Sequence, residues 1–215
     1  MSSIIDNMRR LNSKERFFLI NYALGSREFP LSAKFCEDVA NALDLGFELP
    51  PSLFSAMDYH LDWLFASLRL ASPLPVQKPG VFPNEDTCIE ATQEDIDFII
   101  AFEHDGKTHI ILLEAKGVTG WTNKQLQSKK DRLVKIFGEE GTRWPEVVPH
   151  FAIVSPQKPI RLDSKEWPAW MKTPNGEAAW IRLPGTEKRL RVHRCDNEGK
   201  ESKDGRHWTT AERKP

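Results

Sequence analysis

The apolar positions of this chain change their period along its length, and each change predicts an element. Residues 12–25 (NSKERFFLINYALG) read as a helix, with Asn12 and Glu15 at capping-box spacing and Gly25 as the stop. Residues 32–44 read as a second helix. Pro50 and Pro51 open a third, PSLFSAMDYHLDWLFASLRL, in which Leu53, Met57, Leu61, Leu64 and Leu68 form one apolar stripe. Asp58 and Asp62 lie four apart on a different face of that helix. Residues 73–86 are proline-rich and read as a connector. In IDFIIAFEHDGKTHIILLEAK (96–116), two almost continuously apolar runs flank Asp105-Gly106, which predicts a buried hairpin of central strands. TNKQLQSKKDRLVKIFG (122–138) returns to helical period. Thr122 is its cap, Trp121 and Leu126 are a hydrophobic staple, and Gly138 ends it. VVPHFAIV (147–154) reads as another buried strand, so strand, helix and strand imply a right-handed crossover and a partly parallel sheet. Farther on, WIRLPGTEKRLRVHR reads as a second hairpin around Pro184-Gly185, and residues 196–215 as a mobile polar tail.

These elements describe one α/β domain: N-terminal helices over 1–72, a core over 82–156 and a C-terminal extension over 157–215. At 215 residues the chain can bury a core without disulfides. Its cysteines, Cys36, Cys88 and Cys195, are far apart and odd in number, which fits a reducing cytoplasm and excludes a disulfide framework. No apolar run approaches the ~20 residues a bilayer needs, and the N-terminus lacks a signal-peptide core, so no membrane partner is expected. Net charge is −1, but unevenly spread. Residues 31–114 carry 15 acids against 4 Lys/Arg, net −11; residues 116–135 carry net +5, and residues 182–215 net +4. An acidic part joined to basic parts suits a metal site beside a polyanion-binding surface.

The hairpin sharpens that idea. With Asp105-Gly106 as a two-residue turn, His104 pairs with Lys107, Ile100 with Ile111 and Asp97 with Glu114. Directly opposite residues share a face, with Cβ atoms about 4.5–5.5 Å apart, and Lys116 follows Glu114 by two, on the same face. A one-residue slip would separate the two acids. Opposed carboxylates need a positive partner. Lys116 supplies one charge, and hard oxygen ligands suit Mg²⁺ or Mn²⁺. A cation there polarises a phosphoryl oxygen and acidifies a bound water, which suits phosphodiester hydrolysis.

Asp97 in DIDFII, Glu114-Ala115-Lys116 in LLEAKG and the helix that follows resemble the PD-(D/E)xK nuclease superfamily over roughly residues 58–155. The resemblance implies a restriction-endonuclease-like fold, a mixed central sheet flanked by helices. It implies metal ligation by Asp97 and Glu114, assisted by the Ala115 carbonyl, and a catalytic Lys116. It also implies a Gln or Lys on the helix, Gln125 first and Lys129 second, and an acid on the helix before the sheet, Asp62 with Asp58 as its rival. The proline that often precedes the first acid is absent; Glu94-Asp95-Ile96 stand there. Expected partners are nucleic acid, with DNA favoured and RNA open, and a second copy of the chain as a homodimer. Lys124, Lys129 and Arg132 are the phosphate-contact candidates.

Other readings compete. Gln125 also fits a capping box with Thr122, and the Gln-Lys-Arg face also fits a solvated surface. His60 fits a hydrogen-bonded core histidine better than a metal ligand. His193 and Cys195 lack the second pair a zinc site needs. Arg189, Arg191 and His193 alternate as on a charge-protected edge strand or a DNA-contacting one. The main rival to a Mg²⁺-dependent nuclease is a catalytically silent nucleic-acid-binding or assembly module on the same fold. Another is an interaction protein that docks through its Trp-rich C-terminal third.

Overall fold

A two-residue turn with two left-handed residues, Asp105 (φ 48°) and Gly106 (φ 73°), joins two of the three longest strands. Its twist matches that of the strands it joins, and glycine at the second position takes that conformation without steric cost. The computed structural model describes residues 2–25, 29–72, 78, 80–84, 86–92, 94–117, 121, 123–160, 162–184 and 189–213. The strands are β2 (Asp95–His104) and β3 (Lys107–Ala115), and their ladder runs from His104–Lys107 to Phe98–Leu113, the register that the turn predicts.

Five strands form the main sheet. β1 (Phe54–His60) pairs antiparallel with β2 at one edge. β4 (Val147–Ser155) pairs parallel with β3, and β5 (Ala179–Arg182) parallel with β4. The order is β1-β2-β3-β4-β5, a mixed sheet in an α/β fold. The helices are α1 (Ile4–Leu11), α2 (Glu15–Leu24), α3 (Ala33–Ala42), α4 (Leu61–Ala71) and α5 (Asn123–Phe137), the last being the β3–β4 crossover. Among the described residues no helix is long and apolar enough to cross a membrane. All three cysteines are free.

Two apolar layers cover the sheet. Ile5 and Met8 of α1, Leu61, Leu64 and Leu68 of α4, and Leu126, Leu133 and Ile136 of α5 pack with Ile99, Ile110 and Leu112 on one face. Val39 of α3 packs with Ile100, Ile111 and Leu113 on the other. Polar contacts hold α1 as well: Asn7 Nδ2 donates to the Ser67 carbonyl of α4 at 3.2 Å, and Tyr59 Oη of β1 donates to the Met8 carbonyl at 3.1 Å. Histidines gather at one end of the second face. His104 stacks on Phe47 at 3.7 Å between ring centroids, and His109 Nδ1 lies 3.0 Å from His150 Nε2. Burial and the charge of His109 push His150 down to about 4; burial and His104 lower His109.

Three sequence expectations are corrected. The third helix does not begin near Pro51: residues 54–60 are a strand, and only Leu61–Ala71 is helical. The apolar spacing that suggested one helix spans a strand and a helix whose periods fall into step by coincidence. The sheet therefore reaches into the stretch assigned to N-terminal helices. At the C-terminus the strands of the expected hairpin do not pair with each other among the described residues. β5 joins the main sheet, while β6 (Arg189–Cys195) pairs with β7 (His207–Arg213). The expected turn residue Gly185 lies outside the described residues, and part of the supposed tail is strand.

Candidate functional site

The candidate acids stand where the β2–β3 ladder ends. The disturbance begins on the edge strand. Pairing of β1 with β2 runs from Phe54–Ala101 to Met57–Phe98, omits Asp58 and Asp97, and resumes at Tyr59–Ile96 and His60–Asp95. Asp58 has φ 49°, a left-handed conformation that Asp tolerates better than most residues. The pleat flips there. Ala56 and Tyr59, three apart, face the same apolar layer, as do Ile96 and Ile99; an unbroken strand would set each pair on opposite faces. Asp97 is thereby released from the regular pleat, and its Oδ2 accepts the Ala115 N–H at 2.7 Å. A side-chain carboxylate does the work of a ladder carbonyl.

Glu114 keeps the parity of Ile110 and Leu112 and so turns toward α5. Lys129 Nζ lies 2.8 Å from its Oε1, with the two side chains 13% and 10% exposed. The contact has the length of an ion pair but not the direction of a hydrogen bond. Oε1 is a buried acceptor without a hydrogen-bond partner among the described residues. Lys129 directs a proton to the Asp95 carbonyl instead. Burial raises the Glu114 carboxyl to about 7; the Lys129 charge opposes that rise and the Asp97 charge adds to it. At neutral pH this group sits near its titration midpoint.

Asp95 is a member of the cluster that sequence reasoning missed. Lys14, at the N-cap of α2, reaches its Oδ2 at 2.7 Å, and His60 Nε2 lies 3.4 Å from its Oδ1. The lysine is 81 residues away in sequence, so no local spacing marks the pair. His60 also packs on Trp63 at 4.4 Å between ring centroids, an aromatic and carboxylate setting of the kind expected for a structural histidine. Lys116 is half-buried, with Nζ 5.0 Å from the centroid of the Trp121 ring. Trp121 and Leu126 are both buried in the first apolar layer, the placement a staple requires.

Other candidates are engaged elsewhere. Asp62 accepts from Arg132 Nη2 at 2.6 Å and from the N–H groups of Glu90 and Ala91 at 3.2 and 2.8 Å. It caps a loop onto α4 and does not join Asp97 and Glu114. Asp58 lies 3.7 Å from Arg16. Arg132, expected to contact phosphate, is 3% exposed. It meets Asp62, Glu90 at 3.0 Å and the Cys88 carbonyl at 2.8 Å, because α5 lies against the acidic stretch before β2. Its assignment to a solvent-facing stripe is corrected. Lys129 likewise faces inward. The side chains of Lys124 and Gln125 lie outside the described residues, as does Thr122.

Among the described residues no group of three or more His, Cys, Asp or Glu could hold a metal ion. The donors on hand are the two carboxylates and the Ala115 carbonyl. Mg²⁺ characteristically takes one or two carboxylates and keeps several waters. The orphaned Oε1 gives such a cation an oxygen to hold, so the residues fit a hydrated hard cation and not an all-protein cage. Comparison with known proteins finds no matching family model, no matching curated protein and no matching solved structure.

Proposed function

We propose that the chain is a divalent-metal-dependent nuclease of the PD-(D/E)xK kind, with a restriction-endonuclease-like core, hydrolysing phosphodiester bonds in nucleic acid, DNA before RNA. One observation carries the reading. A break in the β1–β2 pairing accompanies Asp97 beside Glu114 at a strand end, with Glu114 Oε1 buried and without a hydrogen bond among the described residues, and a lysine stands two residues on. The succession of an antiparallel hairpin, a crossover helix and a parallel strand supports it.

Asp97 and Glu114 would hold Mg²⁺ or Mn²⁺ with the Ala115 carbonyl. The chemistry the cation would supply is polarisation of a phosphoryl oxygen and a more acidic bound water. The chain does the rest. The Ala115 N–H fixes the Asp97 carboxylate, so its second oxygen has a set direction. Lys116, whose ammonium lies over the Trp121 ring, would stabilise the charge that develops on phosphorus. The test is Mg²⁺ and Mn²⁺ calorimetry on wild type and Asp97→Ala, with plasmid nicking on the same samples. Binding and nicking by wild type alone are expected. Absence of binding in both proteins would sink the metal centre.

A second reading has its own observation. Lys129 already offsets Glu114 with a charge from the chain itself, which suits a catalytically silent nucleic-acid-binding or assembly module. Binding of metal without nicking of DNA or RNA would favour it.

A further inference from the structure

We propose that Lys129 is the resident counter-ion of this centre: it stands on Glu114 while no metal is bound and leaves that oxygen when a divalent cation arrives. The proposal rests on the metal-centre reading and adds to it a competitor built into the fold.

Three observations carry it. Lys129 Nζ is 2.8 Å from Oε1, the oxygen of Glu114 that has no hydrogen bond among the described residues. The ammonium thus compensates the carboxylate by its charge. Lys129 has a second acceptor, the Asp95 carbonyl, so it can give up Glu114 and keep one partner. Lys14 holds the Asp95 carboxylate through Oδ2, and Lys129 takes the backbone oxygen of the same residue. Both side chains are nearly nine-tenths buried or more, and in such a setting an ammonium and a divalent cation cannot share one oxygen without strong repulsion. Metal binding therefore becomes an exchange of cations.

The exchange makes the free protein's own charge an opponent of the metal. Removing it should tighten binding, whereas loss of a ligand or a supporting residue would weaken it. The experiment is calorimetric titration of Mg²⁺ and Mn²⁺ into wild type, Lys129→Met and Lys129→Arg, without nucleic acid. Lys129→Met is expected to bind about tenfold tighter than wild type, and Lys129→Arg, which keeps the charge, no tighter than wild type. Equal or weaker binding by Lys129→Met, with wild type binding, overturns the exchange and leaves the metal centre standing. No binding by any of the three folded proteins overturns both. Should Lys129→Met not fold, wild type still decides. With ¹⁵N-lysine labelling, and Lys129→Arg to assign the signal, the Lys129 ammonium resonance should shift or vanish as Mg²⁺ saturates the protein. An unchanged resonance at saturation refutes the exchange.

Discussion

Glu114 and His150 titrate abnormally in opposite senses, and together they predict a pH profile that neither gives alone. Burial holds the Glu114 carboxyl at about 7 against an ordinary 4.5. From pH 4.5 to 7 the folded protein therefore keeps a proton that the unfolded chain has lost, and stability falls as pH rises. His150 is held at about 4 against an ordinary 6.5. From pH 4 to 6.5 the unfolded chain carries a proton that the folded protein lacks, so stability rises with pH and is lost on acidification. Each slope is at most about 1.4 kcal/mol per pH unit. Between pH 4.5 and 6.5 they cancel.

Glu114→Gln removes the falling branch and unmasks the rising one. Relative to wild type, the variant should gain up to about 3 kcal/mol between pH 4.5 and 7, a large share of the ~5–15 kcal/mol typical of a domain. His109, lowered in the same direction as His150, can only steepen the branch that remains. His150→Gln should do the reverse and lose relative stability as pH rises from 4 to 6.5. Urea melts at half-unit pH steps in EDTA read both differences, and constant m-values confirm that only stability has changed. Subtracting wild type removes the contribution of the ordinary carboxylates. If the Glu114→Gln and wild-type profiles run parallel from pH 4.5 to 7, Glu114 titrates normally and the buried-carboxylate argument fails.

Packing gives two more expected outcomes. Arg132→Met leaves Asp62 and Glu90 without their buried partner and should cost about 3–5 kcal/mol, read as a lower urea midpoint; a surface phosphate contact would instead leave the midpoint unchanged. In Gly205→Ala the new Cβ would overlap the Cys195 carbonyl; hydrogen exchange should show the β6–β7 amides losing protection while β2 and β3 keep theirs.

The range of each interaction decides whether the sequence alone reveals it. The β2–β3 register was legible because a two-residue turn with a left-handed preference fixes it locally, and the apolar runs on either side have no competing period. β1 was not. Ser55, Ala56, Met57 and Asp58 carry little strand preference, and the strand forms because β2 offers an edge to pair with. β5 is four residues long, too short for a period of its own, and its partner is 27 residues back by register, as in Ala152–Ala179. The polar β7 reads as tail until β6 pairs with it. The proximity of Asp97 to Glu114 was legible through register. Asp95, with Lys14 and His60, was not, because that cluster is assembled by packing among α2, β1 and β2. The basic helix misled for a related reason: helical period says which residues share a face, but not that an acidic segment will cover that face and bury Arg132.

The Asp58–Asp97 interruption ties the fold to the candidate chemistry. A fully regular sheet would carry Asp97 in the ladder, its carboxylate confined to one side of the pleat and its backbone paired with both neighbours. The left-handed Asp58 ends that regularity on an edge strand, where an interruption disturbs the fewest hydrogen bonds. The Ala115 N–H, past the last β2–β3 ladder pair, then takes the freed carboxylate as acceptor. The same hydrogen bond holds a negative charge close enough to Glu114 to raise its proton affinity, on top of burial. Glu114 in turn draws in Lys129 from α5. An irregularity of one residue in β1 thus propagates across β2 and β3 to the helix, and each step places a charged group that an ideal sheet would have kept apart from the others. The arrangement stores repulsion between two acids and relieves it with an ammonium from the chain, and a divalent cation would relieve it more fully. That difference in electrostatic relief is what the metal titrations of wild type and Lys129→Met are designed to read.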